Sequence, residues 1–296
     1  MKIAFVGASG YGNVGDDTYP LVFRAQLPEA DLISYNSTLP ADLPEDLDLL
    51  VLGGGGILYY AGTEGRVESS HFDCMRFYMD RAQERGIPWG ILSCGFQFGA
   101  DRHHHFAVDL APWGPYLQQA RFITLRSPEC VRMAKALSGR EEGIHFFPDA
   151  GYLYQPSTPV EPVPKVLTLI PAGFINPRNA HVRYILRHYQ SMNYEIVWMG
   201  MGSPGDDDRY FVEAAEWQPT ALHLPQPGPA KAYAQIARSR MVYSGRYHGM
   251  VFARQLGVPF YVPDKCPYKI EKEDLTADPS LAAGHFKVLR EVMSTL

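Results

Sequence analysis

The sequence contains little cysteine and no long apolar segment, and these two scarcities exclude several classes of protein. Its four cysteines lie far apart and form no CxxC pair, so neither a zinc knuckle nor a dense disulfide framework is indicated. No stretch approaches the roughly 20 apolar residues that span a bilayer, and the opening MKIAFVGAS is too short for a signal-peptide core. The sequence therefore predicts a soluble cytoplasmic protein in a reducing compartment, with at most peripheral membrane contact.

Basic charge is also scarce. Lysine and arginine number 27 against 32 aspartates and glutamates, which gives a net charge of −5. This balance offers no general attraction to a polyanion, so we do not expect nucleic acid as a partner. The chain of 296 residues, 46% of them apolar, is long enough for two domains.

A regular alternation of apolar runs and helical segments predicts the fold. Runs of strand length such as KIAFVGA alternate with amphipathic segments such as residues 69–86. This pattern predicts the α/β class, with doubly wound parallel sheets covered by helices. Proline-rich residues 157–165 interrupt it, so we predict an N-terminal domain over 1–156 and a C-terminal domain over 166–296 that ends in a closing helix. Ligands of such sheets bind at the carboxyl ends of the strands.

The segment GASGYGNVGDD follows the first strand and opens the first helix. Its glycines would let backbone amides approach a phosphate, but Asp16 and Asp17 would repel one, and no acidic residue ends the second strand to bind a ribose. These features disfavour a nicotinamide site. Two interpretations stay open: a tight turn in which Asp16 or Asp17 caps the helix, or a loop in which Asn13 and Asp16 bind hydroxyls of an acceptor.

Three other segments end predicted strands with polar or flexible residues. The run LGGGG, with Gly54 and Gly55 at its centre, is predicted to come immediately after a buried strand, and it favours close approach of the backbone to a ligand. Arg126 precedes a helix that begins with proline, and it either points into the cleft or forms a surface salt bridge. Asp149 is either a turn former or a polar residue of the cleft.

Two polar clusters are weak candidates for metal ligands. Residues His103 to His105 lack the i, i+4 spacing of helical zinc ligands, so a solvated loop is favoured. The segment SPGDDD, residues 203–208, looks like a helix start with acidic residues that complement the helix dipole. We therefore predict no metal site.

The segment YSGRYHGMVFARQLGVPF places Arg246 and His248 at the start of a helix, after a short buried strand and a turn at Gly245. A helix N-terminus disfavours cations unless an anion shares the site. A guanidinium can bind phosphate or carboxylate in a bidentate manner, and a histidine beside it can transfer a proton near neutral pH. The alternative is a hydrogen-bonded core histidine beside a surface arginine.

Together these segments resemble the polysaccharide pyruvyl transferase family. The matching pieces follow the family's order across nearly the whole chain: GNVGDD, LGGGG, Arg126, Pro148 with Asp149, and SGRYHGMVFARQLGVPF. The last piece is the most specific, because the family carries Ser-x-Arg-hydrophobic-His, filled here by Ser244, Arg246, Tyr247 and His248. An Ala-x-x-x-Gly-Val-Pro run follows, as in the family.

The resemblance implies two Rossmann-like domains in a GT-B-like arrangement with an interdomain cleft. It also implies transfer of pyruvate from phosphoenolpyruvate onto two hydroxyls of a sugar, as a cyclic ketal, with no metal and no cofactor besides this co-substrate. Arg246 and His248 would then meet the donor, with Arg126 reaching it from the other side, and Ser244 would also bind the substrate. The family's lysine about twenty residues after the histidine is matched by Lys269, or replaced by Lys265.

The same chemistry suggests individual roles. His248, kept protonated by the negative charge of the donor, is the candidate acid that protonates the vinyl carbon. Asp149 or Asp16 is the candidate base or hydroxyl-orienting group.

We predict the N-terminal domain as the acceptor side and the C-terminal domain as the phosphoenolpyruvate side, and the chain departs from the family at positions on the acceptor side. Ser127 and Cys130 stand where the family has an acidic residue and a serine, and Gln97 stands where glycine is common. The acceptor sugar, lipid-linked or not, and the formation of a homo-oligomer are therefore left open. Two rival functions also stay open: a GT-B glycosyltransferase that uses a nucleotide sugar, and a binding module without catalytic activity.

Overall fold

The computed structural model describes residues 1–37, 39–58, 69–96, 110–156, 163–173, 175–261 and 277–296. The chain divides into two compact units. The first comprises Met1–Ser9, Tyr19–Leu153 and Tyr268–Leu296, and the second comprises Gly10–Thr18 and Tyr154–Pro267. Within the described residues, each unit contains one sheet, with six strands in the first unit and five in the second.

The sheet of the first unit has six strands. They are β1 (Lys2–Gly7), β2 (Asp31–Asn36), β3 (Leu49–Leu58), β4 (Trp89–Phe96), β5 (Ile123–Leu125) and β6 (Ile144–Phe146). All neighbours are parallel, in the order β2-β1-β3-β4-β5-β6. The intervening helices are α1 (Thr18–Gln26), α2 (Ser69–Glu84), α3 (Gly114–Gln119) and α4 (Pro128–Ser138).

The sheet of the second unit has five strands. They are β7 (Val166–Ile170), β8 (Glu195–Met199), β9 (Leu222–Leu224), β10 (Met241–Ser244) and β11 (Phe260–Tyr261). These strands are also parallel, in the order β11-β10-β7-β8-β9. Helices α5 (Ala180–Ser191), α6 (Asp208–Trp217), α7 (Gly228–Arg238) and α8 (Tyr247–Gln255) connect them. The predicted α/β class with doubly wound parallel sheets is confirmed.

Burial explains why these segments form these elements. Strands β4 and β7 are buried along their whole length, as expected of apolar runs in a parallel sheet covered on both faces. Helix α2 buries the predicted face of Phe72, Met75, Met79 and Ala82. The short strand β9 was not predicted, because three residues with exposed or half-buried side chains carry too little periodicity to identify a strand.

Helix α9 (Gly284–Met293) forms in the predicted closing segment and groups with the first unit. Its Phe286 and Leu289 are fully buried, and the Phe286 ring lies 5.1 Å from the ring of Phe23. The predicted domain boundaries place α9 with the C-terminal domain and residues 10–18 with the N-terminal domain. The structure instead groups α9 with the first unit and residues 10–18 with the second. Residues 157–162 of the predicted linker lie outside the described part of the chain. Among the described helices, none is long and apolar enough to cross a membrane.

Candidate active site

Arg246 and His248 lie where the sequence predicted them, at the N-terminal end of α8. Strand β10 ends at Ser244, and Arg246 is the N-cap residue of the helix, in extended backbone conformation. The Ser244 hydroxyl donates to the carbonyl of Arg246 at 2.7 Å and accepts from the amide of Arg246 at 3.1 Å. Ser244 is thus a buried residue that fixes the turn between strand and helix, and its contact with a substrate stays a prediction.

His248 is buried, at 7% exposure, and Gly15 of the glycine-rich loop packs against its imidazole. A Cβ atom at residue 15 would lie less than 3.0 Å from Nδ1 and Cγ of His248. The loop is held in this unit by a hydrogen bond from the amide of Val14 to the carbonyl of Met201, at 3.1 Å. Because only glycine leaves room for the ring, the loop determines where the His248 side chain can lie.

Arg246 forms an ion pair with Asp207, a residue that the sequence analysis did not single out. Its Nη2 lies 2.6 Å from Oδ1 of Asp207 and 3.8 Å from Oδ2 of Asp206. The other oxygen of Asp207 accepts from the amides of Met201 and Gly202, at 3.1 and 2.8 Å. Asp207 therefore holds the guanidinium in one orientation.

Two features leave the Arg246 guanidinium suited to a ligand. Its Nε is buried and has no hydrogen-bond acceptor among the residues that the structure describes. The side chain nevertheless stays 23% exposed. Gly202 packs against the guanidinium, since a Cβ there would lie 2.9 Å from Cζ of Arg246.

The first unit holds a second arginine and carboxylate, Arg126 and Asp149, as a buried ion pair. Nη1 of Arg126 lies 3.1 Å from Oδ2 of Asp149, with 8% and 0% of the side chains exposed. Oδ2 also accepts from the hydroxyl of Tyr19 at 2.7 Å, and Oδ1 accepts from the amide of Gly151 at 2.7 Å. Burial of the pair contradicts the alternative of a surface salt bridge for Arg126.

The glycine run after Leu52 lies inside β3, so the prediction that it follows the strand is wrong. Gly54 and Gly55 adopt φ values of 74° and 84°, which favour glycine, and pairing with β4 continues beyond a register shift. A Cβ at Gly54 would lie less than 3.0 Å from three ring atoms of Tyr19. Gly54 therefore makes room for the tyrosine that bonds to Asp149. Its contact with a substrate, and that of Gly55, stay predictions.

The glycine-rich loop uses its polar residues largely to shape itself. The side-chain oxygen of Asn13 accepts from the amides of Gly15 and Asp16, at 3.1 and 3.4 Å. Oδ1 of Asp17 accepts from the amide of Gly10 at 2.6 Å. These bonds favour the turn-forming interpretation for Asn13 and Asp17, while binding of hydroxyls by Asn13 or Asp16 stays a prediction.

The departures from the family near Arg126 have local structural roles. The Ser127 side chain caps α4 by accepting from the amide of Cys130 at 3.1 Å, and the Cys130 sulfur accepts from the amide of Phe96 at 3.2 Å. Gly95 packs against Arg126, because a Cβ there would lie 2.7 Å from its Nε.

Several predicted residues lie outside the described part of the chain. They are Lys265, Lys269, Gln97 and the histidines 103–105. Within the described part, no three side chains of His, Cys, Asp or Glu gather in a way that could hold a metal ion. Arg126 and Asp149 lie in the first unit, and Asn13, Asp16, Ser244, Arg246 and His248 lie in the second.

Comparison with known proteins assigns the family. The polysaccharide pyruvyl transferase model matches residues 16–262, so the chain belongs to this family. It is therefore a transferase of the pyruvyl transferase class with a Rossmann-like α/β fold. The comparison with curated proteins finds no match to this chain.

Solved structures with the same fold include UDP-sugar enzymes. The UDP-GlcNAc 2-epimerase of Methanocaldococcus jannaschii has a TM-score of 0.60 at 10% identity, covering 99% of this chain and 100% of that one. The enzyme from Rickettsia bellii has 0.58 at 10%, covering 99% and 96%. That from Neisseria meningitidis, bound to UDP-GlcNAc, has 0.57 at 8%, covering 98% and 92%. At such low identity these similarities establish a GT-B-like fold and nothing further.

Proposed function

We propose that this protein transfers the pyruvyl group of phosphoenolpyruvate onto two hydroxyls of a sugar in a polysaccharide or glycolipid precursor. The product would be a cyclic ketal, with release of phosphate. Membership of the family supports the class of reaction. The observation that carries the proposal is that Arg246 and His248 both lie at the N-terminal end of α8, where Gly15 packs against His248.

Donor binding would rest on the arginines. Phosphoenolpyruvate carries a phosphate and a carboxylate, and a guanidinium matches the geometry of both. Arg246 is already oriented by Asp207, so it loses little conformational freedom when the donor binds. Arg126, oriented by Asp149, and Lys269 or Lys265 would supply further positive charge.

The reaction would begin with a proton passing from His248 to the methylene carbon of the donor. This step leaves an oxocarbenium-like centre at the neighbouring carbon, which a sugar hydroxyl attacks. The bond between that carbon and the phosphate oxygen then breaks, and the second hydroxyl closes the ketal. Of the two protons lost by the hydroxyls, one restores His248 and the other leaves with the phosphate. No step requires a metal or a redox cofactor.

The contacts of Asp149 favour an indirect role over that of a base. The residue is fully buried, and its carboxylate accepts from Tyr19, Arg126 and Gly151. We therefore assign it the orientation of Arg126. Asp16, which is partly exposed, remains the candidate for binding or deprotonating an acceptor hydroxyl.

The rival nucleotide-sugar glycosyltransferase has support from the fold alone. The similar structures include enzymes named for UDP-GlcNAc, at 8 to 10% identity. A sugar linked to a nucleotide is still a reasonable acceptor to test, as is one linked to a lipid. We propose that the reaction takes place in the cytoplasm, where phosphoenolpyruvate is available.

The experiment combines an acceptor screen with one variant. Lipid-linked and nucleotide-linked sugars are incubated with the protein and phosphoenolpyruvate, and mass spectrometry is used to look for an added pyruvyl ketal. With the acceptor found, His248→Gln should lose about 10² to 10⁴ in turnover while donor affinity is largely kept. His188→Gln, on the exposed face of α5, serves as the matched control. Transfer from a nucleotide sugar without use of phosphoenolpyruvate would refute the proposal.

A further inference from the structure

His285 in α9 is a fully buried polar residue on a helix face that otherwise packs through apolar side chains. Its Nε2 lies 2.9 Å from the carbonyl oxygen of Pro148, and its Nδ1 lies 2.7 Å from Oγ1 of Thr124. A carbonyl can only accept, so Nε2 carries the hydrogen and Nδ1 accepts from the hydroxyl of Thr124. Burial lowers the pKa of His285 to about 4, which keeps the ring in this neutral form.

The hydrogen-bond chain continues from Thr124 to the other side of Asp149. Oγ1 of Thr124 accepts from the amide of Ser93 at 3.2 Å, and the hydroxyl oxygen of Ser93 accepts from the amide of Ala150 at 2.8 Å. Ser93 has a φ of 56°, a left-handed conformation that is unusual for a residue other than glycine. The network therefore holds both peptide groups that flank Asp149, the carbonyl of Pro148 and the amide of Ala150.

The helix does not need a histidine at this position in order to pack. Phe286 and Leu289 are fully buried, and Gly284 lies close against the ring of Phe147. Burying an imidazole costs desolvation energy that an apolar side chain would avoid. Only the hydrogen bonds of the ring offset this cost. The distances show which groups those bonds hold.

We propose that His285 is a positioning residue that acts through Asp149 on Arg126. Asp149 orients Arg126 by the bond of 3.1 Å, and its own backbone is fixed by the network that begins at His285. The proposal rests on the proposed function, in which Arg126 binds the donor. His285 also lies outside residues 16–262, which the family model matches.

The test compares His285→Leu, His285→Gln and Thr124→Val with Phe286→Leu, a packing variant of the same helix. Amide hydrogen exchange of Ala150 and Gly151, followed by NMR, reports on the network without any substrate. We expect exchange to become about fivefold to tenfold faster in His285→Leu and Thr124→Val. Phe286→Leu should lower the melting temperature without this local effect. His285→Gln keeps a hydrogen-bond donor, so its exchange rates should lie between those of His285→Leu and those of Phe286→Leu.

Kinetics provide the second measurement. In His285→Leu and Thr124→Val, KM for phosphoenolpyruvate should rise about tenfold while kcat stays within a few-fold, because Arg126 is displaced and His248 is not. Unchanged exchange at Ala150, or an equal rise of KM in Phe286→Leu, would overturn the positioning role. If the wild-type protein does not use phosphoenolpyruvate at all, the proposed function fails, while the exchange data still decide whether the network holds Asp149. Should His285→Leu not fold, Thr124→Val decides.

Discussion

Because Gly15 packs against His248, the substitution Gly15→Ala tests whether His248 is the acid. Gly15 does not adopt the left-handed φ that would itself require glycine, so alanine is compatible with the backbone. Its Cβ, however, would lie less than 3.0 Å from Nδ1 and Cγ of the imidazole, whereas ordinary contacts begin at 3.4 Å. The ring would have to move by a distance on the order of 1 Å, and a displacement of that size can cost about 10²-fold in rate.

Gly15→Ala should therefore lower kcat about 100-fold and leave KM for phosphoenolpyruvate within about threefold of wild type. The assay is phosphate release in the presence of the acceptor, with calorimetry for donor affinity and circular dichroism for the fold. Gly202→Ala is the matched control, because its Cβ would instead meet Cζ of Arg246 and Oδ2 of Asp207, both at 2.9 Å. That variant should mainly raise KM.

Two results would refute this reasoning. If Gly15→Ala retains wild-type kcat while folded, His248 either tolerates the displacement or does not donate the proton. If Gly15→Ala and Gly202→Ala change kcat and KM in the same way, the two contacts do not separate proton transfer from donor binding.

Further predictions concern charge, stability and pH. Arg246→Ala should weaken donor binding by about 2 to 5 kcal/mol in calorimetry, and unchanged affinity would remove Arg246 from the donor site. Asp149→Asn should leave Arg126 buried without its anion and lower the free energy of unfolding in urea by about 3 to 5 kcal/mol, so a shift below 1 kcal/mol would contradict the buried pair. Burial lowers the pKa of His285 to about 4, although the hydrogen bond to Pro148 and the charge of Asp149 oppose this shift, so the unfolded chain, with an ordinary value of 6.5, binds the proton first as pH falls. Stability should then drop by about 2 kcal/mol between pH 7.5 and pH 5, and this drop should be missing in His285→Gln.

The fold and one half of the candidate site could be predicted from the sequence because their signals are local. Continuous apolar runs such as β7 identify buried parallel strands, and glycine followed by Arg246 and His248 marks a strand-to-helix turn. Ser127 and Pro128 likewise identify the start of α4. Each of these features depends on residues that lie close together in the sequence.

The partners of the two arginines could not be predicted in this way. Asp207 is the second of three consecutive aspartates, and nothing local shows which one pairs with Arg246, 39 residues away. Tyr19 lies in an apolar helix and bonds to Asp149 across 130 residues. The glycines of β3 indicated close approach, but the approaching group at Gly54 is the ring of Tyr19. A glycine in a strand indicates that another group lies close to the backbone, but it does not identify that group.

These partners change the charge that each arginine could offer to a donor in the proposed function. The sequence presents Arg126 and Arg246 as two positive charges, yet each guanidinium is matched by a carboxylate, and Asp206 adds a second one 3.8 Å from Arg246. Each carboxylate therefore orients its guanidinium, but the pair as a whole carries little net charge. A donor that carries both a phosphate and a carboxylate needs net positive charge as well, since desolvating it is costly. In the proposed function, the N-terminal end of α8 would contribute part of this charge. The remainder would come from Lys265 or Lys269, which are the lysines that the resemblance to the family suggests, so we expect them to matter for donor binding as much as the arginines do.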